Sequence, residues 1–267
     1  MKSDKSRAGE TRPSMPSLGR RERLELFSAR VPWSLKLIVV YVVIGAVLLG
    51  AFLLVDFDVA WMREHAWRII RDGLPLTLLI CASAIILATI LATLGALARL
   101  SRNPIAYGVA GVYTSFFRGT PLLVQMFLIY FAVAEVGVRL QQGGYPWGRV
   151  LVLTEIQAGI LALGLNYGAY MTEIFRAGIQ SVGHGQGEAA DALGMSYRTK
   201  MRRIVFPQAV RVIIPPTGNE FIAMIKDSAL VSLLGVQELL WRAQRGGTQN
   251  FRALEALLVA ALVYWVL

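Results

Sequence analysis

The sequence is poor in charged side chains, which make up 16% of its 267 residues. A soluble domain normally carries about 25% charged residues, whereas 55% of this chain is hydrophobic. The run from Leu37 to Val55 holds no ionisable side chain except Tyr41, and the run from Gly73 to Ala98 holds none except Cys81. Because about 20 apolar residues cross the hydrocarbon core as a helix, both runs predict membrane spans.

Cysteine and histidine are nearly absent, and this excludes several kinds of site. One cysteine cannot form an internal disulfide, and Cys81 lies where a small buried hydrophobe is expected. His65 and His184 are far apart and have no cysteines at metal-ligand spacing, so we expect no metal site. The chain has no Gly-x4-Gly-Lys-Ser/Thr segment, so any nucleotide must be bound by a partner. No Ser/His/Asp or Cys/His set suggests a catalytic residue, and we expect no enzyme activity in this chain.

The net charge of +10 comes from basic residues that lie between apolar runs. This arrangement is typical of positive-inside loops and not of a solvated nucleic-acid-binding face, so we expect no nucleic acid partner. Residues 1–33 are rich in Ser, Pro, Gly and Arg and are predicted to be a disordered, cytoplasmic N-terminus. Residues 34–56 are predicted to form an extra N-terminal transmembrane helix, retained rather than cleaved.

The remaining apolar runs predict an all-α, polytopic bundle of about six spans with both ends in the cytoplasm. Val59 to Asp72 is mixed in charge and is assigned to the interface level through Trp61 and Trp67. The other predicted spans are Leu74–Ala98, Ile105–Gly137 with a break at 118–121, Ile156–Thr172, Ile204–Val236 with a break at Pro215-Pro216, and Phe251–Leu267. Gln141–Trp147 and Gln237–Asn250 are predicted external loops. Because the last run is too short to finish a span, we expect the natural chain to continue beyond Leu267.

A glycine-bounded segment, 185–194, lies in the predicted cytoplasmic loop. It predicts a short helix in which Glu188 near the start is favoured by the helix dipole. Ala189 and Leu193 share one face, Ala190 shares another with Gly194, and Gly194 is suited to a left-handed residue that ends the helix. Such a compact element fits a groove of a soluble partner; alone, it would equally suit a solvated loop helix.

The spacing around this segment resembles a known signature. Glu188-Ala189-Ala190, three residues, Gly194, nine residues and then Ile204-Val205-Phe206-Pro207 resemble the signature loop of ABC importer permeases, where Phe206 is usually Leu. Further segments resemble the polar amino acid permease subfamily, which serves histidine, arginine, glutamine, glutamate and opines: 118–125, 169–179, 207–209 and 226–230. The resemblance extends from about Gly73 to the C-terminus.

The resemblance implies a type I ABC importer permease fold in the bacterial inner membrane, with a permease core at 73–267 and a coupling loop at 180–203. It implies coupling to an ATPase through Gly187, Glu188, Ala189, Ala190, Leu193, Gly194 and Pro207. ATP and Mg would be bound by ABC ATPase subunits, and this chain would hold no cofactor. The other implied partners are a second permease copy or a homologous permease, a substrate-binding protein, an amino acid and membrane lipid.

Polar side chains inside predicted spans are candidates for the substrate pathway, since they are costly in a membrane. Asn166, Tyr170 and Glu173 share one helix face, and Tyr170 with Glu173 would suit an ammonium group. Alternatively, Glu173 pairs with Arg176 at the interface. After the predicted proline break come four further candidates: Asn219, Glu220, Lys226 and Asp227. Lys226 and Asp227 alternatively neutralise each other.

Other functions compete with the importer hypothesis. An ion-coupled secondary amino acid transporter would also use midplane charges, but gives no reason for the spacing from Glu188 to Pro207. A membrane-embedded enzyme would need a clustered acid, base or metal set within the spans. A purely structural membrane protein would show no substrate-dependent stimulation of an ATPase.

Overall fold

The computed structural model describes residues 32–54 and 57–267, and every regular element in these ranges is a helix. The chain divides into two compact units, Met1–Phe57 and Asp58–Leu267. The first contains helix α1, Trp33–Leu54, whose sequence is apolar on every side, as expected of a lone span in lipid. Of residues 1–33, which are predicted to be disordered, 1–31 lie outside the described ranges.

The second unit is built from nine helices in its described residues. They are α2 Val59–Arg99, α3 Pro104–Gly119, α4 Leu122–Gln142, α5 Glu155–Gln180, α6 His184–Ala192, α7 Tyr197–Lys200, α8 Phe206–Asp227, α9 Leu239–Gln249 and α10 Ala253–Val266. A π turn, Leu128–Ala132, lies within α4, and a second, Met201–Val205, joins α7 to α8. Short 3-10 turns cover Pro146–Leu151 and Ser228–Leu234.

Length and composition alone identify three described helices as able to cross a membrane: the Trp33–Gly50 part of α1, then α2 and α4. Helices α5 and α8 have 26 and 22 residues, which is enough for a span, but they carry polar groups discussed below. Helix α10 has 14 residues and is apolar except for Glu255 in its first turn. The bundle is therefore polytopic and all-α, as the sequence predicts.

The centre of the bundle is the contact between α2 and α5. Ala84, Ala88 and Ala92 recur every four residues on one face of α2 and are fully buried. A Cβ atom on Gly164 of α5 would come within 2.5 Å of the Leu87 side chain, and one on Gly95 of α2 would collide with Thr172. Small residues thus bring the two backbones into close contact, which is how helices associate in lipid.

The break predicted at 118–121 is confirmed. Helix α3 begins with Asn103 as its N-cap and Pro104 in its first turn, and it ends at Gly119. Thr120 and Pro121 are extended, and α4 begins at Leu122. The cause is the restriction that Pro121 imposes on the residue before it.

The break predicted at Pro215-Pro216 is wrong, because α8 is helical from Phe206 to Asp227. The Thr217 hydroxyl donates a hydrogen bond of 2.8 Å to the carbonyl of Ile213. This bond does not replace those that the prolines remove, since Pro215 and Pro216 lack the N–H groups that would donate to the carbonyls of Arg211 and Val212. The residues that follow Pro216, including Glu220 and Asp227, nevertheless lie on a regular helix and not beside a broken one.

The helix that contains the predicted span Leu74–Ala98 begins well before residue 73. The segment 59–72 is continuous with the span, and together they form the 41-residue helix α2. Trp61 and Ile69 are buried against α9 and α10, in a cluster with Leu239, Ala243 and Val259. The mixed charge of this segment reflects a helix with one buried apolar face, a pattern that an average over the whole segment hides.

The segment Gln237–Asn250, predicted as an external loop, contains helix α9. Leu239, Ala243 and Gly247 are spaced four residues apart and are buried, which gives this helix its packing face. A Cβ atom on Gly73 of α2 would lie 2.6 Å from the Leu239 Cα. The prediction missed the helix because its other residues are polar.

Glu238 connects three elements at the start of α9, and its side chain is fully buried. Its carboxylate accepts hydrogen bonds from the backbone N–H of Trp241 (2.9 Å), the Thr77 hydroxyl (3.2 Å) and the Tyr264 hydroxyl (2.8 Å). The residue is therefore both the N-cap of α9 and a link between α2 and α10.

We expect Glu238→Ala to lower the free energy of unfolding by about 1–2 kcal/mol, because the Trp241 N–H and the Tyr264 hydroxyl lose their acceptor at roughly 1 kcal/mol each, whereas the Thr77 hydroxyl also reaches the Gly73 carbonyl at 3.3 Å. Thermal unfolding in detergent micelles would show the change as a lower Tm. Glu238→Gln keeps a side-chain acceptor and should lose less than half as much. Equal stability of the alanine variant and the wild type would contradict a linking role.

Candidate functional site

Helix α6 forms a sharply ended projection between α5 and α7. It ends at Ala192, and Gly194 follows in the left-handed region with φ +69°. The Met195 N–H donates to the Ala190 carbonyl (3.0 Å), and the Gly194 N–H donates to that of Asp191 (2.9 Å). These bonds are the C-terminal cap in which glycine satisfies the last carbonyls, so the helix end expected at Gly194 is observed.

A second set of contacts fixes the orientation of α6. The Lys200 ammonium of α7 donates to both carboxylate oxygens of Asp191, each at 2.8 Å. Ala190 is buried, with 1% of its surface exposed. The C-terminal half of α6 is therefore held against the rest of the protein through Ala190 and Asp191, and the other, free side of α6 is exposed to solvent.

The free side carries most of the predicted coupling residues. Glu188, Ala189 and Gly194 are exposed, Gly187 is partly buried, and Leu193 has 81% of its surface in solvent. Pro207 is also exposed and lies in the first turn of α8. An exposed leucine beside small residues is the composition expected of a docking knob.

A polar cluster lies where α5, α8 and the end of α3 come together. The Tyr167 hydroxyl donates to the Asp227 carboxylate at 2.8 Å. Glu220 lies within electrostatic range of both Asp227 and Arg118. The Arg118 guanidinium is 5.4 Å from the centre of the Tyr170 ring, a distance at which cation–π attraction operates. The cluster thus presents one cation and two carboxylates with aromatic rings beside them.

Asn166 has a different environment from its neighbour Tyr170. It is buried, and its amide nitrogen donates to the Phe117 carbonyl and to Gln125 Oε1, both at 3.0 Å. The Gln125 amide nitrogen donates to the carbonyls of Phe117 (2.9 Å) and Thr120 (3.0 Å). These two amides satisfy the carbonyls left open at the break between α3 and α4 and so fix the position of Arg118.

Glu173 contacts two guanidinium groups. Arg176 donates to its carboxylate from Nε at 2.8 Å, and the Arg99 Nε lies 3.6 Å from it. The alternative interpretation, in which Glu173 and Arg176 form a pair, therefore describes a contact that is present. Asn219 and Lys226 are both exposed, and within the described ranges no ion pair joins Lys226 to Asp227, whose carboxylate contacts Tyr167 instead.

Sequence reasoning missed Arg118, Tyr167 and Gln125. Arg118 was detectable, because it is the one cation in the stretch 105–137 and such residues usually face a cavity or a partner. Tyr167 and Gln125 gave no such signal, since tyrosine and glutamine are common in helices. In the part of the chain that the structure describes, no group of three or more His, Cys, Asp or Glu residues is placed to hold a metal ion.

Comparisons with known proteins agree with this architecture. The family described as "Binding-protein-dependent transport system inner membrane component" matches residues 84–267. The probable amino-acid permease protein YxeN of Bacillus subtilis (strain 168) is 37% identical over 202 residues, which are 76% of this chain and 86% of that protein. The arginine transport system permease protein ArtQ of the same organism is 37% identical over 199 residues, 74% of this chain and 85% of that one.

Solved structures give the same result. A chain of an amino acid ABC transporter crystallised with histidines is 35% identical, has a TM-score of 0.69, and aligns over 79% of this chain and 92% of its own. A chain of the MetNI methionine ABC transporter, facing inward, has a TM-score of 0.58 at 15% identity, over 76% of this chain and 92% of its own, which supports the fold alone. This chain therefore belongs to the family of inner membrane components of binding-protein-dependent transport systems, and it is a multi-pass membrane protein.

Proposed function

We propose that this chain is the transmembrane permease subunit of an ATP-driven ABC importer that moves a polar amino acid across the bacterial inner membrane. The observation that carries the proposal is helix α6, a capped and fastened helix whose outer side exposes Glu188 and Leu193. A secondary transporter has no need for such a projection. The relatives that align with most of this chain are named amino-acid permeases, which supports the same substrate class.

The coupling mechanism follows from the position of α6. Two ATPase subunits bind ATP and Mg and dock on α6 of each of two permease chains, either identical or homologous. Their closure moves α6, and α5 with it, because only three residues separate Gln180 from His184. The N-terminus and α6 then share the cytoplasmic side, and a binding protein delivers the amino acid to the opposite side.

The polar cluster supplies the chemistry that a zwitterion needs. Arg118 suits the carboxylate of an amino acid through its planar, permanently charged guanidinium. Glu220 and Asp227 suit the ammonium group, and Tyr170 lies beside Arg118 as an aromatic wall. We assign the pathway to this cluster. Asn166 supports the cluster from α5 by holding the break that positions Arg118, and Glu173 lies one turn beyond Tyr170 on α5, paired with Arg176.

The proposal is tested by reconstituting the full chain with its ATPase and binding protein in lipid vesicles. We expect uptake of a radiolabelled polar amino acid, with arginine, histidine, glutamine and glutamate tested in turn, that requires hydrolysable ATP in the vesicle lumen. An uncoupler should leave that uptake unchanged. Uptake that persists without ATP and collapses with the uncoupler would overturn the proposal in favour of an ion-coupled transporter.

A further inference from the structure

A polar cavity of about 370 Å³ lies between the first turns of α2 and helix α9. It is on the part of α2 farthest from Arg99, and thus away from the coupling helix and its neighbours. Trp61 and Arg68 of α2 line it on one side, and Arg242 and Arg245 of α9 on the other. This volume is within the range of small-ligand sites, and the proposed transport mechanism does not use it.

The cavity is electropositive. Three guanidinium groups line it, those of Arg68, Arg242 and Arg245, together with a single carboxylate, that of Asp72. Asp72 already pairs with Arg71, whose Nε lies 2.8 Å from its carboxylate. The lining therefore keeps an excess of positive charge, which favours an anionic ligand.

Two donors at this site lack an acceptor. Trp61 Nε1 and Arg242 Nε are buried, and neither has a hydrogen-bond partner among the residues that the structure describes. Trp61 is 9% exposed, and its ring is stacked on His65 at 4.4 Å between centroids. Buried polar groups are nearly always hydrogen-bonded, so these two nitrogen atoms are unusual, but both are closed off from the open cavity and its charge comes from the exposed guanidinium groups.

The depth at which the cavity lies in the membrane narrows the choice of ligand. Helix α2 has 41 residues and so spans about 60 Å, roughly twice the thickness of the hydrocarbon core. Its long apolar run begins only at Gly73, so the segment 59–72 projects into the interface. Trp61, Trp67 and Trp241 lie there, as tryptophans of an interfacial belt do, and this is the level of lipid phosphates.

We propose that this cavity binds the phosphate of an anionic phospholipid headgroup. Planar guanidinium groups match phosphate oxygens in bidentate hydrogen bonds, and those of Arg68 and Arg245 are exposed where they line the cavity. A headgroup bound there would tie the outer end of α2 to α9. The assignment of this site to the extracytoplasmic leaflet rests on the membrane orientation proposed above. The proposal that the cavity binds a phosphate does not depend on that orientation.

Lipid retention by the purified full-length chain tests the proposal. The protein in mild detergent is incubated with phosphatidylglycerol or with phosphatidylcholine, and retained lipid is counted by native mass spectrometry. We expect the wild type to retain phosphatidylglycerol in preference to phosphatidylcholine. The double variant Arg68→Gln with Arg245→Gln should retain roughly tenfold less phosphatidylglycerol than the wild type, because it removes two of the three guanidinium groups of the cavity. Both side chains are exposed, so the fold should tolerate these changes.

Matched variants and a second anion complete the experiment. Arg149→Gln changes another exposed arginine, in the turn Pro146–Leu151 outside the cavity, and should leave retention unchanged. Arg242→Gln should reduce retention as the double variant does. Equal retention by the double variant and the wild type would overturn the proposal, as would stabilisation by inorganic phosphate without retention of phosphatidylglycerol. No transport is measured, so failure of the importer assignment would leave this result standing.

Discussion

Leu193→Asp is expected to abolish association of this chain with its ATPase and, with it, ATP-driven uptake. Leu193 is the most exposed apolar side chain of the α6 projection, with 81% of its surface in solvent. A charge buried in the centre of an apolar contact costs about 2–4 kcal/mol in binding, which is roughly 30-fold or more in affinity. Co-purification of the ATPase, followed by uptake in vesicles, measures both effects.

The control for this variant is Val150→Asp, which adds the same charge at an apolar side chain that is 76% exposed. Val150 lies in the turn Pro146–Leu151, on the side proposed to face away from the cytoplasm, so the ATPase should still co-purify. Because Leu193 follows the helix and contributes no buried packing, its substitution should also leave folding intact. Normal co-purification of the Leu193→Asp variant would remove α6 as the docking element.

Glu220→Ala is expected to reduce uptake by at least about tenfold while membrane insertion and ATPase association remain normal. The substitution removes one of the two carboxylates of the polar cluster and leaves Arg118 with one anionic neighbour fewer. An ammonium group passing the cluster would then lose a partner, and uncompensated charge in a span is costly. Initial uptake rates measured at equal amounts of reconstituted complex give the size of the effect.

Glu135→Ala is a suitable comparison for the Glu220 variant. Glu135 lies on α4, is exposed, and pairs with Arg139 of the same helix, so its loss removes a surface ion pair worth little. Uptake by the Glu135 variant should match the wild type. Should the Glu220 variant also transport normally, Glu220 would have no place in the pathway.

The sequence predicts correctly those helix ends and breaks that depend on a proline or glycine within one turn. The break after Gly119 follows from Pro121, and the end of α6 follows from Gly194, since each depends on residues within one turn. The coupling residues were predicted because their spacing resembles a signature in its own right, and their role stays a prediction. Hydropathy likewise located the spans, because lipid leaves few alternatives to an apolar helix.

Features that depend on contacts between residues far apart in the sequence could not be predicted from local patterns. Pro215 and Pro216 predict a break by the same rule that succeeds at Pro121, but α8 continues through them. Helix α9 was missed because its stability comes from packing on α2 and from the buried links of Glu238. The polar cluster joins α3, α5 and α8: Arg118 and Tyr170 are 52 residues apart in sequence, and Tyr167 and Asp227 are 60 apart. No periodicity within one helix reveals such a contact.

The seam of alanine and glycine between α2 and α5 limits how this protein can move. The backbones of α2 and α5 are so close that sliding or rotating either helix would make atoms collide. The contact of Gly164 with Leu87 is one example. We therefore expect α2 and α5 to move as one rigid body. Helix α6 begins after only three residues beyond the C-terminal end of α5. In the proposed mechanism, motion of α6 would be passed along α5 to Tyr167 and Tyr170, and Tyr167 contacts α8 at Asp227.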